Sequence, residues 1–205
     1  MKKAKRFISL VLALVMLLSV SAFASSASDS RYVAKMSICA RVVFFGHVWL
    51  YFENLTGSEL KVGCYTLPAG QGVSVGTMSL SRSDGAGVYY NIEAYCCNKL
   101  GISGTKSKSV YLTAEELARV SGEIVNRNSW TLSKNCGYFA SSVWNSVCTD
   151  KVSYKFLPLQ MKNKLSDTMP SMYYPEKTQV FKQVGSGSSA TMKQVKNASL
   201  VMQVG

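Results

Sequence analysis

The pattern of hydrophobic and polar positions divides the chain into a strand-rich part followed by a helical part. Between residues 47 and 53 the side chains alternate, so that Val48, Leu50 and Phe52 share one face of a predicted strand. Gly-, Asn- and Ser-rich turns separate this run from its neighbours, and such short connections favour antiparallel pairing. The further runs predicted as strands are residues 40–45, 60–67, 73–80 and 87–95.

The first predicted helix follows the strands and opens at Thr113. Thr113 and Glu116 have the spacing of a capping box, in which each side chain binds the backbone N–H of the other residue. Leu117, Val120 and Ile124 then recur at helical spacing and predict one buried face, in a helix that ends near Arg127.

A second helix is predicted to begin at Cys136, after a cap at Asn135 or Lys134. The apolar residues that follow it, among them Ala140 and Trp144, recur at helical spacing. Strands and helices are therefore segregated along the sequence. This segregation predicts an α+β fold, in which an antiparallel sheet packs against helices that include the Cys136 helix.

The ends of the chain carry signals of their own. Basic residues at the start and an apolar run over residues 7–20, followed by Ala22-Phe23-Ala24, are typical of an export signal. We predict cleavage after Ala24, with Ala27 as the alternative site. A Gly- and Ser-rich stretch at residues 185–189 predicts flexibility near the other end. We expect a secreted protein, extracellular or associated with the cell wall. Its predicted segments are a signal peptide over 1–24, a linker over 25–37, one domain over 38–150 and a partly flexible C-terminal extension over 151–205.

The net charge and the cysteines indicate which classes of partner and cofactor to expect. Four of the positive charges behind the net charge of +12 lie in the predicted signal, and the other basic residues are scattered. Without a dense basic run interleaved with aromatic residues, no nucleic-acid partner is predicted. The charge does fit association with an anionic surface. The six cysteines match no zinc pattern, and Cys96 and Cys97 are adjacent, so no cofactor and no metal is predicted. An even cysteine count in an exported protein also allows disulfides, whose pairing the sequence leaves open.

One cysteine and the only histidine form the candidate chemical pair. Cys136 is predicted in the first turn of its helix, where the helix dipole favours the thiolate, the form of cysteine that attacks carbonyl carbon. A thiolate needs a base or cation beside it, and imidazole fills that role near neutral pH. His47 begins the alternating strand. The ordinary alternatives are a buried or disulfide-bonded cysteine and a structural histidine.

Residues 38–150 resemble a known family. They are similar to circularly permuted papain-like proteins of the NlpC/P60 type, relatives of the lecithin–retinol acyltransferase-like group. The resemblance implies a permuted papain-like fold, in which the histidine strand precedes the cysteine helix, and a catalytic pair of Cys136 and His47. The segments that carry it are Gly46-His47-Val48-Trp49, Val62-Gly63-Cys64-Tyr65, Gly87-Val88-Tyr89-Tyr90-Asn91-Ile92-Glu93, Leu112-Thr113, Asn128-Ser129-Trp130, Asn135-Cys136-Gly137-Tyr138-Phe139-Ala140 and Val143-Trp144-Asn145.

A third residue is expected to orient the imidazole, and the resemblance implies a polar side chain on a neighbouring strand. If the strand after the first turn pairs with the histidine strand, Thr66 lies opposite His47, but threonine is a weak orienting group. We favour Glu93, because a carboxylate fixes the tautomer and stabilises the imidazolium. Asn91, on the same face of its predicted strand, and Asn54, at the end of the histidine strand, are the alternatives.

These features lead to one main functional hypothesis and two alternatives. The main hypothesis is an exported cysteine hydrolase, an amidase or endopeptidase acting on cell-wall peptides, as the resemblance implies. The same thiol chemistry would serve an acyltransferase or thioesterase acting on lipids. The alternative from another class is a secreted binding module supported by disulfides, without catalysis.

Overall fold

The computed structural model describes residues 31–41, 46–79, 85–99, 105–154, 160–161, 165–168, 170–172 and 179–196. The signal peptide predicted for residues 1–24 lies outside this part of the chain. The described residues from Tyr32 onward belong to one compact unit. None of the helices among the described residues is long and apolar enough to cross a membrane.

The described residues form a mixed α+β structure with ten strands and three α-helices. The strands are β1 Tyr32–Arg41, β2 His47–Asn54, β3 Leu60–Val62, β4 Tyr65–Leu67, β5 Gly72–Met78, β6 Gly87–Tyr90, β7 Thr105–Thr113, β8 Asp167–Thr168, β9 Phe181–Val184 and β10 Thr191–Gln194. The helices are α1 Ile92–Lys99, α2 Ala114–Asn126 and α3 Cys136–Val147.

Eight strands form the main sheet, in the order β10-β9-β6-β5-β2-β1-β7-β8. Every neighbouring pair in it is antiparallel. Strands β1 and β2 are neighbours in its interior, where Cys39 pairs with Trp49 and Arg41 pairs with His47. The predicted α+β class and the antiparallel sheet are therefore confirmed.

Helix α2 begins as the capping box predicts. The Thr113 hydroxyl accepts a hydrogen bond from the Glu116 backbone N–H, and the Glu116 carboxylate accepts one from the Thr113 N–H. The helix buries Leu117, Val120 and Ile124 against the sheet. This helix, its cap and its buried face are confirmed.

Helix α3 is also confirmed, with Asn135 as its N-cap. The Asn135 Oδ1 atom accepts hydrogen bonds from the backbone N–H groups of Gly137 and Tyr138 over 3.0 and 3.3 Å. These bonds satisfy donors that a helix start otherwise leaves unpaired. Phe139 and Trp144 on its buried face pack into the main core, and this packing places Cys136, at the start of the helix, at the sheet.

The two faces of the sheet carry different side chains, because residues alternate along each strand. We call the face that bears Val48, Leu50 and Phe52 the core face, and it packs in one cluster with α2 and α3. The opposite face, which we call the site face, bears His47 and Trp49 together with their neighbours on β1 and β5. Helix α1 packs there, with Ala94 and Cys97 in a smaller cluster with Trp49.

Residues 60–67 do not form the single strand that was predicted. The chain turns at Gly63, which has a φ of 59°, and β3 and β4 pair with each other rather than with β2. A left-handed φ of this kind favours glycine, so the turn is built into the sequence. Arg41 on β1, and not Thr66, is therefore the cross-strand partner of His47.

The strand predicted over residues 87–95 is wrong beyond Tyr90. Asn91 has a φ of 66°, and this left-handed residue ends the extended backbone and starts α1. Glu93 and Asn91 thus lie at the start of a helix and not on one face of a strand. Helix α1 continues to Lys99, and β7 begins at Thr105.

The flanking segments differ from the expected linkers as well. Strand β1 begins at Tyr32, within the linker predicted over residues 25–37. Residues 185–189 join β9 to β10 and contain a short 3-10 helix at Gly187–Ser189, so this stretch is the connection of a hairpin rather than a free linker. A residue outside the hairpin also binds this connection, because Asn128 Nδ2 donates to the Gly185 carbonyl over 2.8 Å.

Candidate active site

His47 is the first residue of β2 and lies on the site face. Its ring stacks on Trp49, with 5.6 Å between the ring centroids and 16° between the planes. Trp49 is itself buried, so the imidazole has a rigid support. The His47 side chain remains 17% exposed, which leaves room for a substrate to approach it.

Cys136 approaches His47 from the other layer of the fold. It is the first residue of α3, a helix that packs on the core face, and its side chain forms a hydrogen bond with the His47 ring. The backbone N–H groups of Val48 and Gly137 also lower the pKa of the Cys136 thiol. His47 is the first residue of β2, at the end of the strand. At this end, the start of a helix on the core face can contact a side chain that projects from the site face.

Glu93 holds the opposite side of the imidazole. The Glu93 Oε1 atom lies 2.9 Å from His47 Nε2, and the Glu93 side chain is only 2% exposed. Because Nε2 is engaged with Glu93, Nδ1 is the ring nitrogen left for the thiol. The structure thus brings Cys136, His47 and Glu93 into one hydrogen-bonded chain, and their catalytic roles stay predictions.

Two residues on β5 fix the Glu93 carboxylate. The Ser74 hydroxyl donates to Glu93 Oε2 over 2.9 Å and accepts from the Ala94 backbone N–H over 3.1 Å. Gly76 leaves the space that the other oxygen occupies, because a Cβ added there would overlap Glu93 Oε1. Ser74 and Gly76 are two residues apart on the same strand, so one face of β5 shapes the seat of the carboxylate.

The electrostatics favour a thiolate–imidazolium pair. Burial raises the pKa of the Cys136 thiol, but the His47 charge and hydrogen bond outweigh it and bring the pKa below its ordinary value. Burial likewise lowers the pKa of His47, and the charge of Cys136 followed by the contacts of Glu93 raises it to about 10. Both shifts stabilise the same charged pair at neutral pH.

Tyr154 lies at the edge of this site. Burial and then the Cys136 charge raise the pKa of its hydroxyl, while a hydrogen bond from the Asn135 side chain acts against them. Its ring packs edge-on against Tyr138, with 5.7 Å between the centroids. Tyr154 therefore places a phenol close to the sulfur, from a segment after the family-like region.

In the described part of the chain, neither of the two alternative orienting residues forms a hydrogen bond with the His47 ring. Asn54 Nδ2 donates to the carbonyls of Ser58, Leu67 and Pro68, and its Oδ1 accepts from Thr56, so this side chain organises the turns at the far end of β2. Asn91 Nδ2 donates to the Tyr65 hydroxyl over 3.5 Å. Of the three candidates, Glu93 is the one that binds the His47 ring.

Sequence reasoning missed Ser74, Gly76 and Tyr154. The first two stand in an ordinary strand pattern, and only the strand register reveals that they face Glu93. Tyr154 follows the predicted helix in a segment without periodicity. Among the described residues, no group of three or more His, Cys, Asp or Glu side chains is placed to hold a metal ion.

All six cysteines lie within the described residues, and all are free in the structure. Comparisons of the chain with models of protein families, with curated proteins and with solved structures gave no match. The permuted papain-like family therefore stays a prediction from the sequence.

Proposed function

We propose that this protein is a cysteine hydrolase that cleaves an amide or ester through a thioester on Cys136. The observation that carries the proposal is the hydrogen-bonded chain from the Cys136 thiol through His47 to the Glu93 carboxylate. A nucleophile, a base and a group that orients the base are the parts that acyl transfer by a thiol requires.

The first half of the reaction forms the acyl-enzyme. The Cys136 thiolate attacks the carbonyl carbon, and the His47 imidazolium gives its proton to the leaving amine or alcohol as the carbon–nitrogen or carbon–oxygen bond breaks. The oxyanion of the intermediate would form at the start of α3, where the helix dipole and the Cys136 N–H favour negative charge.

The second half releases the product. Neutral His47 takes a proton from water, the resulting hydroxide attacks the thioester carbonyl, and the Cys136 thiolate leaves as the imidazolium forms again. Glu93 keeps the ring in one tautomer and stabilises its positive charge throughout. The substrates that the sequence resemblance supports best are peptides of the cell wall. Transfer of the acyl group to another acceptor would use the same intermediate.

The other cysteines provide an internal comparison. Burial raises the pKa of the Cys148 thiol to about 12, and burial followed by the Glu93 charge raises that of Cys97 to about 11. Cys148 lies just past the other end of α3. The shift toward the thiolate at Cys136 thus depends on its place beside His47 and not merely on burial in this protein.

Alkylation by iodoacetamide, read at each cysteine by peptide mass spectrometry, tests the proposal. We expect Cys136 to react at neutral pH at least about tenfold faster than Cys148, because a pKa one unit lower gives about ten times more thiolate in this range. The rate at Cys136 should rise less steeply with pH than the rate at Cys148, because the pKa of Cys136 is lowered and that of Cys148 is raised. Replacing His47 with alanine should remove this advantage and restore a steeper rise of the rate with pH.

A second arm of this experiment looks for the acyl intermediate. The native protein is mixed with soluble cell-wall peptides and quenched in acid, and a mass increase is sought on the peptide that contains Cys136. If Cys136 reacts with iodoacetamide no faster than Cys148, the hydrolase proposal is wrong, whatever the substrate.

A further inference from the structure

Arg41 lies beside the proposed catalytic pair and has no role in the chemistry described so far. It is the last residue of β1 and pairs directly with His47 across the two strands. Side chains of directly paired residues project from the same face, with Cβ atoms about 5 Å apart. Arg41 therefore belongs to the site face, next to the imidazole.

The same two strands contain a second cross-strand pair with a cation, and it differs in one respect. Lys35 pairs with Glu53, and Lys35 Nζ lies 3.1 Å from Glu53 Oε2, so that cation has its counter-ion on the partner strand. Arg41 has His47 in the corresponding position. A histidine held as imidazolium cannot serve as the counter-ion of a guanidinium.

Arg41 also lacks an acidic partner elsewhere in the described part of the chain. None of the ion pairs found there includes Arg41, and its Nε atom is buried without a hydrogen-bond acceptor. Glu93 is the acid of this site, but one of its oxygens binds His47 and the other binds Ser74. A partly buried guanidinium without a counter-ion is costly, which favours the binding of an anion.

Helix α1 fixes the surroundings of the guanidinium. Cys97 lies one turn after Glu93, and the Arg41 charge acts on Cys97 against the effects of burial and of Glu93. Among the described residues, Arg41 pairs across the strands with His47 on β2 and Thr105 on β7, and Glu93 and Cys97 lie on the helix that covers this face. The only carboxylate among them is already engaged.

We propose that Arg41 forms a carboxylate-binding subsite beside Cys136 and His47, which selects substrates with a free carboxylate a few bonds from the scissile carbonyl. The planar guanidinium fork matches the two oxygens of a carboxylate. The inference rests on the proposed function, because it assigns specificity to the same site. It adds that uncharged amides or esters bind more weakly than acidic ones.

Two alkylating reagents of nearly the same shape test this subsite without a known substrate. Iodoacetate carries a carboxylate and iodoacetamide carries the corresponding amide, and both modify the Cys136 sulfur. The second-order rates at Cys136 are measured for both reagents by peptide mass spectrometry in the native protein, in Arg41→Met and in Arg41→Lys. Arg119→Met is the matched control, since Arg119 lies on α2 in an exposed ion pair with Glu115 and its loss removes the same net charge.

We expect Arg41→Met to slow iodoacetate about tenfold at Cys136 and to change the iodoacetamide rate less than about twofold, as loss of one charge-assisted contact predicts. The iodoacetate rate of Arg41→Lys should lie between those of the native protein and Arg41→Met. Arg119→Met should leave the rates of both reagents unchanged. In the native protein, added acetate should slow iodoacetate in a saturable manner that chloride at the same ionic strength does not reproduce. This last measurement does not depend on the folding of any variant.

The outcomes separate the two proposals. The subsite proposal is wrong if the ratio of the iodoacetate rate to the iodoacetamide rate is the same in Arg41→Met as in the native protein. It is also wrong if Arg119→Met lowers the iodoacetate rate as much as Arg41→Met does. Fast labelling of Cys136 by iodoacetamide would still support the hydrolase proposal in both cases. Absence of acetate protection would also count against the subsite. A Cys136 that is inert to both reagents would overturn both proposals.

Discussion

The two faces of the central sheet are built on different principles. The core face carries aliphatic and aromatic residues that pack with α2 and α3, and its stability comes from burial. The site face carries His47, Trp49, Ser74 and Gly76 under α1, where a smaller apolar cluster surrounds Trp49 and hydrogen bonds join Glu93 to His47 and Ser74. A substitution on the core face should therefore lower stability without disturbing the site. On the site face, the addition or loss of one atom should be enough to break the hydrogen bonds that orient the imidazole.

Substitution of the nucleophile should have the largest effect and should separate function from stability. We expect Cys136→Ala to reduce hydrolysis by about 10³-fold or more and to leave the thermal midpoint nearly unchanged, because only a sulfur atom is removed. Cys148→Ala is the control near the other end of the same helix and should keep full activity. A Cys136→Ala protein that still hydrolyses the substrate would show that the reaction takes place elsewhere.

A cavity on the core face should give the opposite result. Ile124 is fully buried in the main core. Ile124→Ala should lower the free energy of unfolding by about 2–5 kcal/mol in chemical denaturation, because buried methyl groups are lost and a cavity remains. The iodoacetamide rate at Cys136 should not change in the protein that remains folded.

The control for this cavity is the exposed Arg119 on the same helix, where Arg119→Ala should cost less than about 0.5 kcal/mol. If Ile124→Ala slowed the labelling of Cys136 in the folded protein, the two faces would be coupled and the contrast between them would be wrong.

A methyl group on the site face should disturb the chemistry more than its size suggests. Gly76→Ala places a Cβ against Glu93 Oε1, so we expect the Glu93–His47 hydrogen bond to break. Turnover should fall about tenfold or more, with a lower thermal midpoint. Gly122→Ala on α2 is the control, because a Cβ there meets no atom within 4 Å and alanine favours the helix by about 1 kcal/mol. Unchanged turnover in Gly76→Ala would remove Glu93 from the mechanism.

The smallest expected effect is a shift in pH dependence. Glu93 is one of the groups that raise the pKa of His47 to about 10, so the imidazolium form is lost only as the pH rises through that value. In Glu93→Gln the negative charge is gone and the pKa of His47 falls. The alkaline limb of kcat should then move to lower pH by about one unit, with less than a tenfold loss at neutral pH.

The same shift also predicts how stability depends on pH. A group whose pKa is higher in the folded than in the unfolded state stabilises the fold below its unfolded pKa, and this contribution disappears as the pH rises through the folded pKa. The native protein should therefore lose stability between about pH 6.5 and 10 from this source, and Glu93→Gln should lose less over that range. Identical profiles for the two proteins would contradict the assigned contact.

The core face could be predicted from the sequence and most of the site face could not. Helices α2 and α3 are predicted by an apolar stripe and an N-cap, because the caps Thr113 and Asn135 can be recognised from local sequence alone. Helix α1 has no such stripe, and the aromatic residues before it extend the appearance of a strand. The turn into α1 depends on Asn91 adopting a left-handed conformation, which no pattern in the sequence requires.

Glu93 was therefore chosen for its chemistry and is placed by an element that the sequence did not predict. A carboxylate is the strongest orienting group for imidazole, and this argument holds on any scaffold. The contributions of Ser74, Gly76 and Arg41 depend on which strands are neighbours and in what register. That information is non-local. Because residues 60–67 were predicted to pair with β2, Thr66 was named as the cross-strand partner of His47 in place of Arg41.

The assembly of the site from three distant segments has a consequence for the folding of the chain. His47, Glu93 and Cys136 come from β2, α1 and α3, so no local stretch contains two of them. In the unfolded chain the Cys136 sulfur is an ordinary thiol, and its pKa falls only after His47 on β2 has met the start of α3. The moment at which this sulfur becomes reactive during refolding thus marks the docking of α3 against β2.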